Sequence, residues 1–366
     1  METYTVKAGD NLGSIALKIF GDANKWREIA EINSITNPAS IKVGQVLQLP
    51  PKKGIVTAAT PVEITVEGSK AFYRFQGTTA KIFLGTMFKK GLSRIGSFNT
   101  ERFISNNPAL LADLKLSSSE INTLLATSEN EGNLDSINTW DNSFLSWGMF
   151  QWTLGADAGQ GELPALLKAA KINQPDSFQK FFGDLGIDVS ADTGSATGFI
   201  VFKGSKINTA AKKETFRTNQ WALNFALAGQ EPTLCAVQVL HAINRLNSFY
   251  FSVQAAFGGL SLNQMLSSEY AASLLLDQHV NRPGNVNAVV AKALEATGMT
   301  AQKLAAGTDA DELKVINKYL DIRVTFGKSP MTNSATRAKV VKKYLDKGAI
   351  SAKKGSFISN RALRGN

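Results

Sequence analysis

The chain has 366 residues, of which 43% are hydrophobic, 9% aromatic and 19% charged. Because single hydrophobic cores stop growing near ~250–300 residues, this length predicts at least two domains, and the composition excludes a disordered chain. One cysteine, Cys235, and two histidines, His241 and His279, exclude a disulfide framework, a zinc cluster and a Cys–His protease pair. We therefore expect no metal and no cofactor, and we expect any hydrolytic chemistry to rest on carboxylates, hydroxyls or lysine.

The formal charge of +10 is concentrated near the end of the chain. Residues 1–50 hold five basic and five acidic side chains, whereas residues 328–366 hold ten basic side chains against the single acid Asp346. This basic C-terminal segment suits an anionic partner such as a cell-wall polymer, an acidic protein face or nucleic acid. A solvated amphipathic helix accounts for the same residues, and the lack of interleaved aromatic residues argues against nucleic acid.

Residues 3–50 have the pattern of a small βααβ domain. Residues 4–6 predict a strand, and a helix follows because apolar residues recur at i, i+3, i+4 and i+7. These apolar residues are Leu12, Ile15, Ala16 and Ile19. A second helix around residues 26–30 and a strand at residues 46–49 complete the predicted order of strand, helix, helix and strand.

Four motifs in this segment together resemble a LysM domain. They are Tyr4-Thr-Val-Lys-Ala-Gly-Asp-Asn-Leu12, the Gly-Asp-Ala-Asn-Lys-Trp run of residues 21–26, Asn37-Pro38, and Ile41-Lys-Val-Gly-Gln-Val-Leu47. LysM domains bind N-acetylglucosamine-containing glycans in a shallow groove between two loops. The resemblance implies a groove lined by Gly9, Asp10, Asn11, Leu12, Asn37, Pro38 and Ile41. The run at 21–26 is also similar to LysM modules of phage tail and baseplate proteins, where the domain docks to protein.

The composition changes after the small domain. Residues 50–61 are rich in proline, lysine, glycine and threonine, which is typical of a linker. We predict a domain at residues 1–50, a linker at residues 51–62 and a large domain at residues 63–366 that includes the basic C-terminal segment.

The large domain is predicted to be mainly α-helical. Beyond a possible strand pair in residues 63–76, helical periodicity dominates, and we predict helices at residues 234–257, 286–294, 311–320 and 335–345. Residues 186–205 are the exception, because their glycine-rich turn between apolar runs predicts a β-hairpin that could wall a cleft. The whole chain is therefore predicted to be α+β, with a small βααβ domain and a mainly helical domain carrying an inserted hairpin.

A candidate acid lies in residues 127–152. Apolar residues at helical spacing, ending with Leu124, lead to Glu131, and Gly132 follows as a helix stop signal. A carboxyl at an apolar helix end has a raised pKa and can deliver a proton to a glycosidic oxygen. Periodicity alone does not favour Glu131 over Glu129.

Aromatic and polar residues follow Glu131 closely. Trp140, Trp147 and Trp152 offer flat faces for stacking pyranose rings, and four polar side chains between them can bind hydroxyls or orient water: Asp135, Asn138, Asp141 and Gln151. The alternative is that Trp147 and Trp152 are core aromatics and that Asp141 only forms a turn.

The segment at residues 129–152 resembles the lysozyme-like superfamily, including lytic transglycosylases and chitosanase-like peptidoglycan hydrolases. There a catalytic glutamate at a helix end precedes a Gly-x-x-Gln motif, as Glu131-Gly132 precedes Gly148-Met-Phe-Gln151 here. Residues 277–284 are similar to the Asp-x-x-x-Asn-x-x-Gly segment that supports the cleft. The resemblance implies catalysis by Glu131 with Gln151, and the pattern fixes no second carboxylate. Asp135 and Asp141 compete for that role, so inverting, retaining and one-glutamate transglycosylase reactions stay open.

Together these patterns predict an enzyme that cleaves the glycan strands of peptidoglycan and is anchored by its small domain. Peptidoglycan is favoured over cationic chitosan because of the basic segment. The alternative is a non-catalytic component of a phage tail or baseplate, in which both domains serve docking. The start of the sequence lacks a secretory signal peptide and no apolar run could span a bilayer. We expect synthesis in the cytoplasm, followed by assembly into a phage-like or contractile injection particle or release to the cell wall.

Overall fold

The computed structural model describes residues 3–20, 26–33, 35, 37–49 and 62–364. The chain divides into two compact units, residues 1–60 and 61–366, called here the first and the second unit. Nearly all of the predicted linker, and residues 21–25 of the first-unit motif, lie outside the described residues.

The first unit has the predicted order of elements. It consists of β1 (Thr3–Thr5), α1 (Leu12–Phe20), α2 (Trp26–Ile32) and β2 (Val46–Gln48). The two strands are antiparallel, with Thr5 opposite Val46. The apolar stripe predicted for the first helix is inside, since Ile15 and Ala16 are fully buried against Ile29 and Leu47.

The second unit begins with an antiparallel sheet of seven strands, in which each strand pairs with the next along the chain. The strands are β3 (Val62–Glu67), β4 (Lys70–Phe75), β5 (Ile82–Phe88), β6 (Gly91–Arg94), β7 (Ile137–Asn138), β8 (Ser146–Trp147) and β9 (Trp152–Thr153). The predicted strand pair is present as β3 and β4. The remaining strands were not predicted, and β7, β8 and β9 have only two residues each, too few to show period-2 alternation.

Three helices lie between β6 and β7 in the sequence: α3 (Thr100–Asn106), α4 (Pro108–Asp113) and α5 (Ser118–Ser128). A capping box fixes the start of α5, because the Ser117 hydroxyl accepts from the Glu120 amide while the Glu120 carboxylate accepts from the Ser117 amide. The helix therefore begins at Ser118, its first turn is already buried, and it leads into residues 129–132.

The predicted hairpin follows two helices, α6 (Leu163–Asn173) and α7 (Pro175–Phe181). It consists of β10 (Ile187–Val189) and β11 (Ile200–Phe202), and a third strand, β12 (Ser205–Lys206), extends it. The hairpin is fastened to α6 because the Lys168 ammonium donates to the Thr193 carbonyl.

The remaining elements are mainly helical. They are α8 (Ala210–Lys213), α9 (Asn219–Ala228), α10 (Pro232–Tyr250), β13 (Val253–Gln254), β14 (Leu260–Ser261), α11 (Leu262–Met265), α12 (Glu269–Asn281), α13 (Val286–Thr297), α14 (Ala301–Ala305), α15 (Asp309–Arg323) and α16 (Ser334–Asp346). Helices near 286, 311 and 335 were predicted with shorter bounds. The helix predicted to reach residue 257 ends at Tyr250, because β13 and β14 form a tight hairpin there.

Helix α10 lies at the centre of the second unit. It packs against α5, α6, α7 and α11, and Val239, Ile243 and Leu246 are fully buried on it. Its single charged residue, Arg245, is therefore held among packed helices. Within the described part of the chain, none of the helices combines the length and the apolar character needed to cross a membrane.

We predict that the second unit folds without the first, since the described core of the first unit is drawn from residues 6–49 alone. A chain lacking residues 1–60 should unfold in one cooperative transition by circular dichroism, at the midpoint of the corresponding transition of the full chain. Loss of cooperative unfolding in the shortened chain would show instead that the two units share a core.

Candidate active site

The loops predicted to line the first-unit groove leave the same end of its sheet. Thr5, the last residue of β1, faces Val46, the first residue of β2, and the Val6 amide donates to the Gln45 carbonyl. The loop after β1 and the loop before β2 are therefore neighbours at their bases, as a groove between them requires.

Side chains of these loops shape the backbone. The Asp10 carboxylate accepts from the Tyr4 hydroxyl and the Lys7 amide, both at 2.8 Å, and these bonds lower its pKa. Gly9 has φ of +85°, which permits the turn. Asn11 accepts from the Ser14 amide at the start of α1, and Leu12 points into the core at 1% exposure. Only the backbone of Leu12 is therefore available to a ligand in the groove. This corrects the prediction that the Leu12 side chain lines the groove.

The second loop is similarly fixed. The Asn37 side-chain oxygen accepts from the Ala39 amide at 3.0 Å and caps a 3₁₀ turn over Pro38–Ser40. Asn37 and Pro38 are exposed, while Ile41 is half-buried against the core of the first unit. This loop therefore exposes both a polar side chain, Asn37, and an apolar one, Pro38.

Glu131 lies beyond the end of α5, which corrects the prediction that it occupies the last helical turn. The helix ends at Ser128, and the Glu131 amide donates to the Ser128 carbonyl at 3.0 Å in the turn that follows. The turn is held to the Gly-x-x-Gln segment, because the Gly132 amide donates to the Met149 carbonyl at 3.0 Å. Glu131 and residues 148–151 are therefore neighbours, as the two motifs implied.

Glycine is needed at positions 132 and 148 for close packing. A Cβ at Gly132 would lie 2.8 Å from the Ser136 hydroxyl. Glycine is therefore required here for close packing against Ser136 and does not act as a helix stop signal. A Cβ at Gly148 would lie 2.2 Å from the side-chain oxygen of Gln238, and Gly148 also has φ of +80°. Gln238, buried on α10, accepts from the Met149 amide and donates to the Leu134 carbonyl. Helix α10 thus fixes the position of the Gly148–Gln151 segment beside Glu131.

The Glu131 carboxylate belongs to a buried charge network. Arg337 on α16 forms an ion pair with Glu131, and its Nε donates at 2.9 Å to Asp277 on α12. The other Asp277 oxygen accepts from Arg323 on α15 at 3.1 Å. Asp277 and Arg323 have no exposed side-chain surface, and Arg337 and Glu131 are each 13% exposed. Two carboxylates thus face two guanidiniums.

Asn130 ties the turn to the same network. Its side-chain amide donates to the Arg337 carbonyl at 3.0 Å, and its own carbonyl accepts from the Arg337 guanidinium at 3.1 Å. The end of α5 and the start of α16 are therefore joined on both sides of the Glu131–Arg337 pair.

Burial raises the pKa of Glu131 to about 7, although the guanidiniums of Arg337 and Arg245 act in the opposite direction. The nearby Asp277 carboxylate adds to the rise. At neutral pH the Glu131 carboxyl is therefore divided between its protonated and ionised forms, which is the property of a general acid.

Arg245 is the second cation near Glu131. Its guanidinium pairs with Glu162 at 3.0 Å and donates to Nδ1 of His279 at 3.2 Å. Burial and Arg245 together lower the pKa of His279 to about 3, so this imidazole is neutral and accepts at Nδ1. His279 stacks on Phe249 with ring centroids 4.0 Å apart.

Asp135 is a structural carboxylate, contrary to the prediction that it binds substrate. It is fully buried and pairs with Arg94 at 2.7 Å. It also accepts from the amides of Ser97 and Phe98, both at 2.8 Å. These bonds join the loop after β6 to the chain before β7 and leave the carboxylate inside the core.

Asn138, Asp141 and Gln151 are half-buried, Asn138 at the end of β7 and the other two in turns. Asp141 accepts from the Asn138 side chain and the Ser143 amide, both at 2.8 Å, so it forms the turn between β7 and β8. The Gln151 side chain donates to the Gly148 carbonyl at 2.9 Å, and its φ is +49°. Their roles toward a substrate stay predictions.

Trp147 and Trp152 offer no stacking face, contrary to the prediction for both. Trp147 is 1% exposed and packs edge-on against Phe182 and Phe225, and Trp152 is fully buried against His241. Trp140 is 42% exposed and stacks on Phe88 at 5.0 Å. Of the three, only Trp140 presents a ring edge and face at the surface.

Three residues near Glu131 were not predicted: Arg337, Arg245 and Glu162. Arg245 had a signal, since it is the one charged residue within a long apolar helix. Arg337 looked like one cation among many on an amphipathic helix, and nothing local distinguishes it. Among the described residues, no three His, Cys, Asp or Glu side chains are placed to hold a metal ion.

Comparison with known proteins identifies the first unit. Residues 4–50 match the model of the LysM domain. The chain carries an N-terminal LysM domain. This domain suggests peptidoglycan binding, consistent with the loops described above.

Three relatives are similar only in their LysM segments. An uncharacterized protein of Deinococcus radiodurans is 47% identical over 47 residues, 13% of this chain and 19% of its own length. Esterase Rv1288 of Mycobacterium tuberculosis is 50% identical over 44 residues, 12% of this chain and 10% of its own. Potassium binding protein Kbp of Escherichia coli is 43% identical over 49 residues, 13% and 33% respectively. The chain thus spans at most a third of these relatives. No solved structure matches the chain significantly.

The raised pKa of Glu131 predicts a pH-dependent stability difference between the wild type and Glu131→Gln. The folded carboxyl holds its proton up to about pH 7, whereas the unfolded one releases it near the ordinary value of 4.5, so wild-type stability falls between these values. Glutamine mimics the protonated form. Relative to the wild type, the variant should gain up to about 3 kcal/mol between pH 4 and pH 8, measured by urea unfolding.

Glu129→Gln is the matched control with the opposite sign. Although desolvation acts against it, hydrogen bonds from Lys343 and Tyr344 lower the pKa of Glu129. Relative to the wild type, this variant should lose stability as the pH rises through the ordinary carboxyl range. An equal offset for Glu131→Gln at pH 4 and pH 8 would contradict a raised pKa.

Proposed function

We propose that this protein binds peptidoglycan through its LysM domain and cleaves the glycan strand in its second unit, with Glu131 as the general acid. The observation that carries the proposal is the Glu131 carboxyl, 13% exposed, with a pKa of about 7, in a turn bonded to the Gly148–Gln151 segment. In this proposal both units act on the same substrate, peptidoglycan.

The charge network suits both states of an acid catalyst. Before proton transfer, burial favours the neutral carboxyl, which can donate to a glycosidic oxygen. After transfer, the carboxylate faces Arg337, and Arg245 also stabilises its charge. Because these cations are held by Asp277 and Glu162, the site needs no rearrangement when Glu131 changes charge.

Of the two carboxylates predicted as partners of Glu131, only Asp141 is compatible with a role toward substrate. Asp135 is committed to Arg94 in the core, whereas Asp141 is half-buried in a surface turn. With Asp141 as a base, a water molecule would attack the sugar from the opposite face; without it, one glutamate would support a transglycosylase reaction. The reducing ends of the products distinguish these reactions, since only the transglycosylase forms an anhydro sugar.

Glu131→Gln should abolish wall-lytic activity while leaving the protein folded. General acid catalysis contributes roughly 10²–10⁴-fold, so release of soluble fragments from purified peptidoglycan should fall at least about 100-fold. Circular dichroism checks the fold.

The control for this test is Glu129→Gln, whose carboxylate is 37% exposed and pairs with Lys343 at the surface. It should clear peptidoglycan at the wild-type rate. If Glu131→Gln keeps the wild-type rate, the assignment of the acid is wrong. An inactive wild type would instead favour the non-catalytic structural role; carriage by a phage-like particle stays a prediction of the sequence.

The LysM domain should supply most of the attachment to the wall. The chain lacking residues 1–60 is expected to sediment with insoluble peptidoglycan much less than the full chain, because the loops around Asp10 and Asn37 are removed. Glu131→Gln should sediment like the wild type, since it leaves the LysM domain intact. Equal sedimentation of the shortened and full chains would contradict an anchoring role.

A further inference from the structure

A groove of about 620 Å³ with both polar and apolar lining residues lies between α6, α10 and the predicted hairpin. Gly194 and Ser195 at the hairpin turn line one side, and Arg361 from the basic C-terminal segment lines another. The hairpin therefore walls a groove of the second unit, and a residue far along the chain contributes to the same groove.

The groove contains an unsatisfied hydrogen-bond donor. Asn247 lines it at 7% exposure, and its side-chain nitrogen has no partner in the structure. Its oxygen is engaged by the Ser359 hydroxyl at 3.4 Å. Because a buried polar atom without a partner costs free energy, an acceptor that reached this nitrogen from the groove would stabilise the Asn247 side chain.

His241 adds a neutral polar group. Burial, together with Arg245, lowers the pKa of His241 to about 4, so the imidazole carries no charge at neutral pH. Asn173 and Ser248 also line the groove, as does Ile172, which is 69% exposed. Amide, hydroxyl and neutral imidazole groups beside an apolar side chain suit a sugar ring with its hydroxyl and acetamido groups.

The charged side chains among the described lining residues of the groove are all basic. Lys168 and Arg361 are its charged lining residues, and none of its described lining residues is acidic. The Arg361 guanidinium lies 4.3 Å from the centre of the Phe251 ring, and within the described part of the chain it forms no ion pair. A guanidinium fixed over an aromatic face is a preorganised receptor for a carboxylate.

We propose that this groove binds an amino sugar that carries a carboxylate, with Arg361 holding the carboxylate and Asn247 donating to the sugar. In peptidoglycan this sugar is N-acetylmuramic acid, whose lactyl group supplies the carboxylate. The choice of glycan rests on the proposed function, whereas the preference for an acidic sugar rests on the groove alone. The groove therefore discriminates against neutral chitin and cationic chitosan.

Calorimetric titration of the full chain tests this proposal. The protein carries Glu131→Gln to prevent turnover, and the probes are a tetrasaccharide of alternating N-acetylglucosamine and N-acetylmuramic acid without peptide, and its lactyl methyl ester. The LysM domain is present with both probes, so the difference between them reports the carboxylate. The free acid should bind about tenfold or more tightly than the ester, as expected for a charge-assisted hydrogen bond.

Adding Arg361→Gln should remove this preference, weakening binding of the free acid far more than binding of the ester. Lys339→Gln, an exposed cation on the same basic segment outside the groove lining, is the charge-matched control and should keep it. Ser195→Asp gives an independent check, because it places a carboxylate on an exposed turn of the groove and should weaken binding of the acid without a cost in folding.

Equal affinity of the wild-type groove for acid and ester would overturn the proposal, as would a preference that survives both Arg361→Gln and Ser195→Asp. These outcomes are independent of the catalytic proposal. Wall clearance by Glu131→Gln would refute the role of Glu131 and would leave the titration result to decide the groove.

Discussion

The packing of α12, α15 and α16 depends on one buried carboxylate, that of Asp277. It has no exposed surface, and a charge removed from water is tolerated only when it is paired and hydrogen-bonded. Its partners come from two different helices, Arg323 on α15 and Arg337 on α16. Removing Asp277 would leave two guanidiniums facing each other, so this single side chain fixes how three helices meet. Glu131 lies at the outer end of this network, where Arg337 holds its carboxylate in position and influences its pKa.

Arginine is required in this network for its shape. The Arg337 guanidinium donates to Asp277, to Glu131 and to the Asn130 carbonyl at once. The planar fork can serve three acceptors in fixed directions, whereas a lysine ammonium would be a single point charge at the end of a flexible stem. The basic C-terminal segment thus contains internal structure as well as surface charge. Arg364 behaves similarly, because it pairs with the fully buried carboxylate of Glu120 on α5.

The parts predicted from the sequence are those whose determinants are local. The LysM domain lies within 47 residues, and its helix stripe, turns and strand order can be recognised along the chain. The hairpin at residues 186–205 was predicted for the same reason. The proximity of Glu131 to residues 148–151 followed from two motifs separated by a short segment.

The parts that could not be predicted depend on distant residues. Arg337 is 206 positions from Glu131, and its helix looks amphipathic in sequence whichever residue it contacts. The short strands β7, β8 and β9 exist because they pair in series with β6, not because of their own propensity. In the sequence, Trp147 and Asp135 cannot be told from substrate ligands, because aromatic and carboxylate side chains serve both in sugar binding and in cores, and only burial distinguishes the two uses.

The pKa of Glu131 is consequently a property of how α16 packs. Burial is the largest influence on this carboxyl and raises its pKa, whereas Arg337 lowers it. Loss of the Arg337 ion pair alone would raise the pKa of Glu131 further, whereas exposure of the carboxyl to water, if α16 moved away, would lower it toward the ordinary value. A carboxyl with that lower pKa would be ionised at neutral pH and could no longer donate a proton. The proposed acid therefore requires the basic C-terminal segment in place, so the charge of that segment cannot be assigned wholly to contacts with a partner.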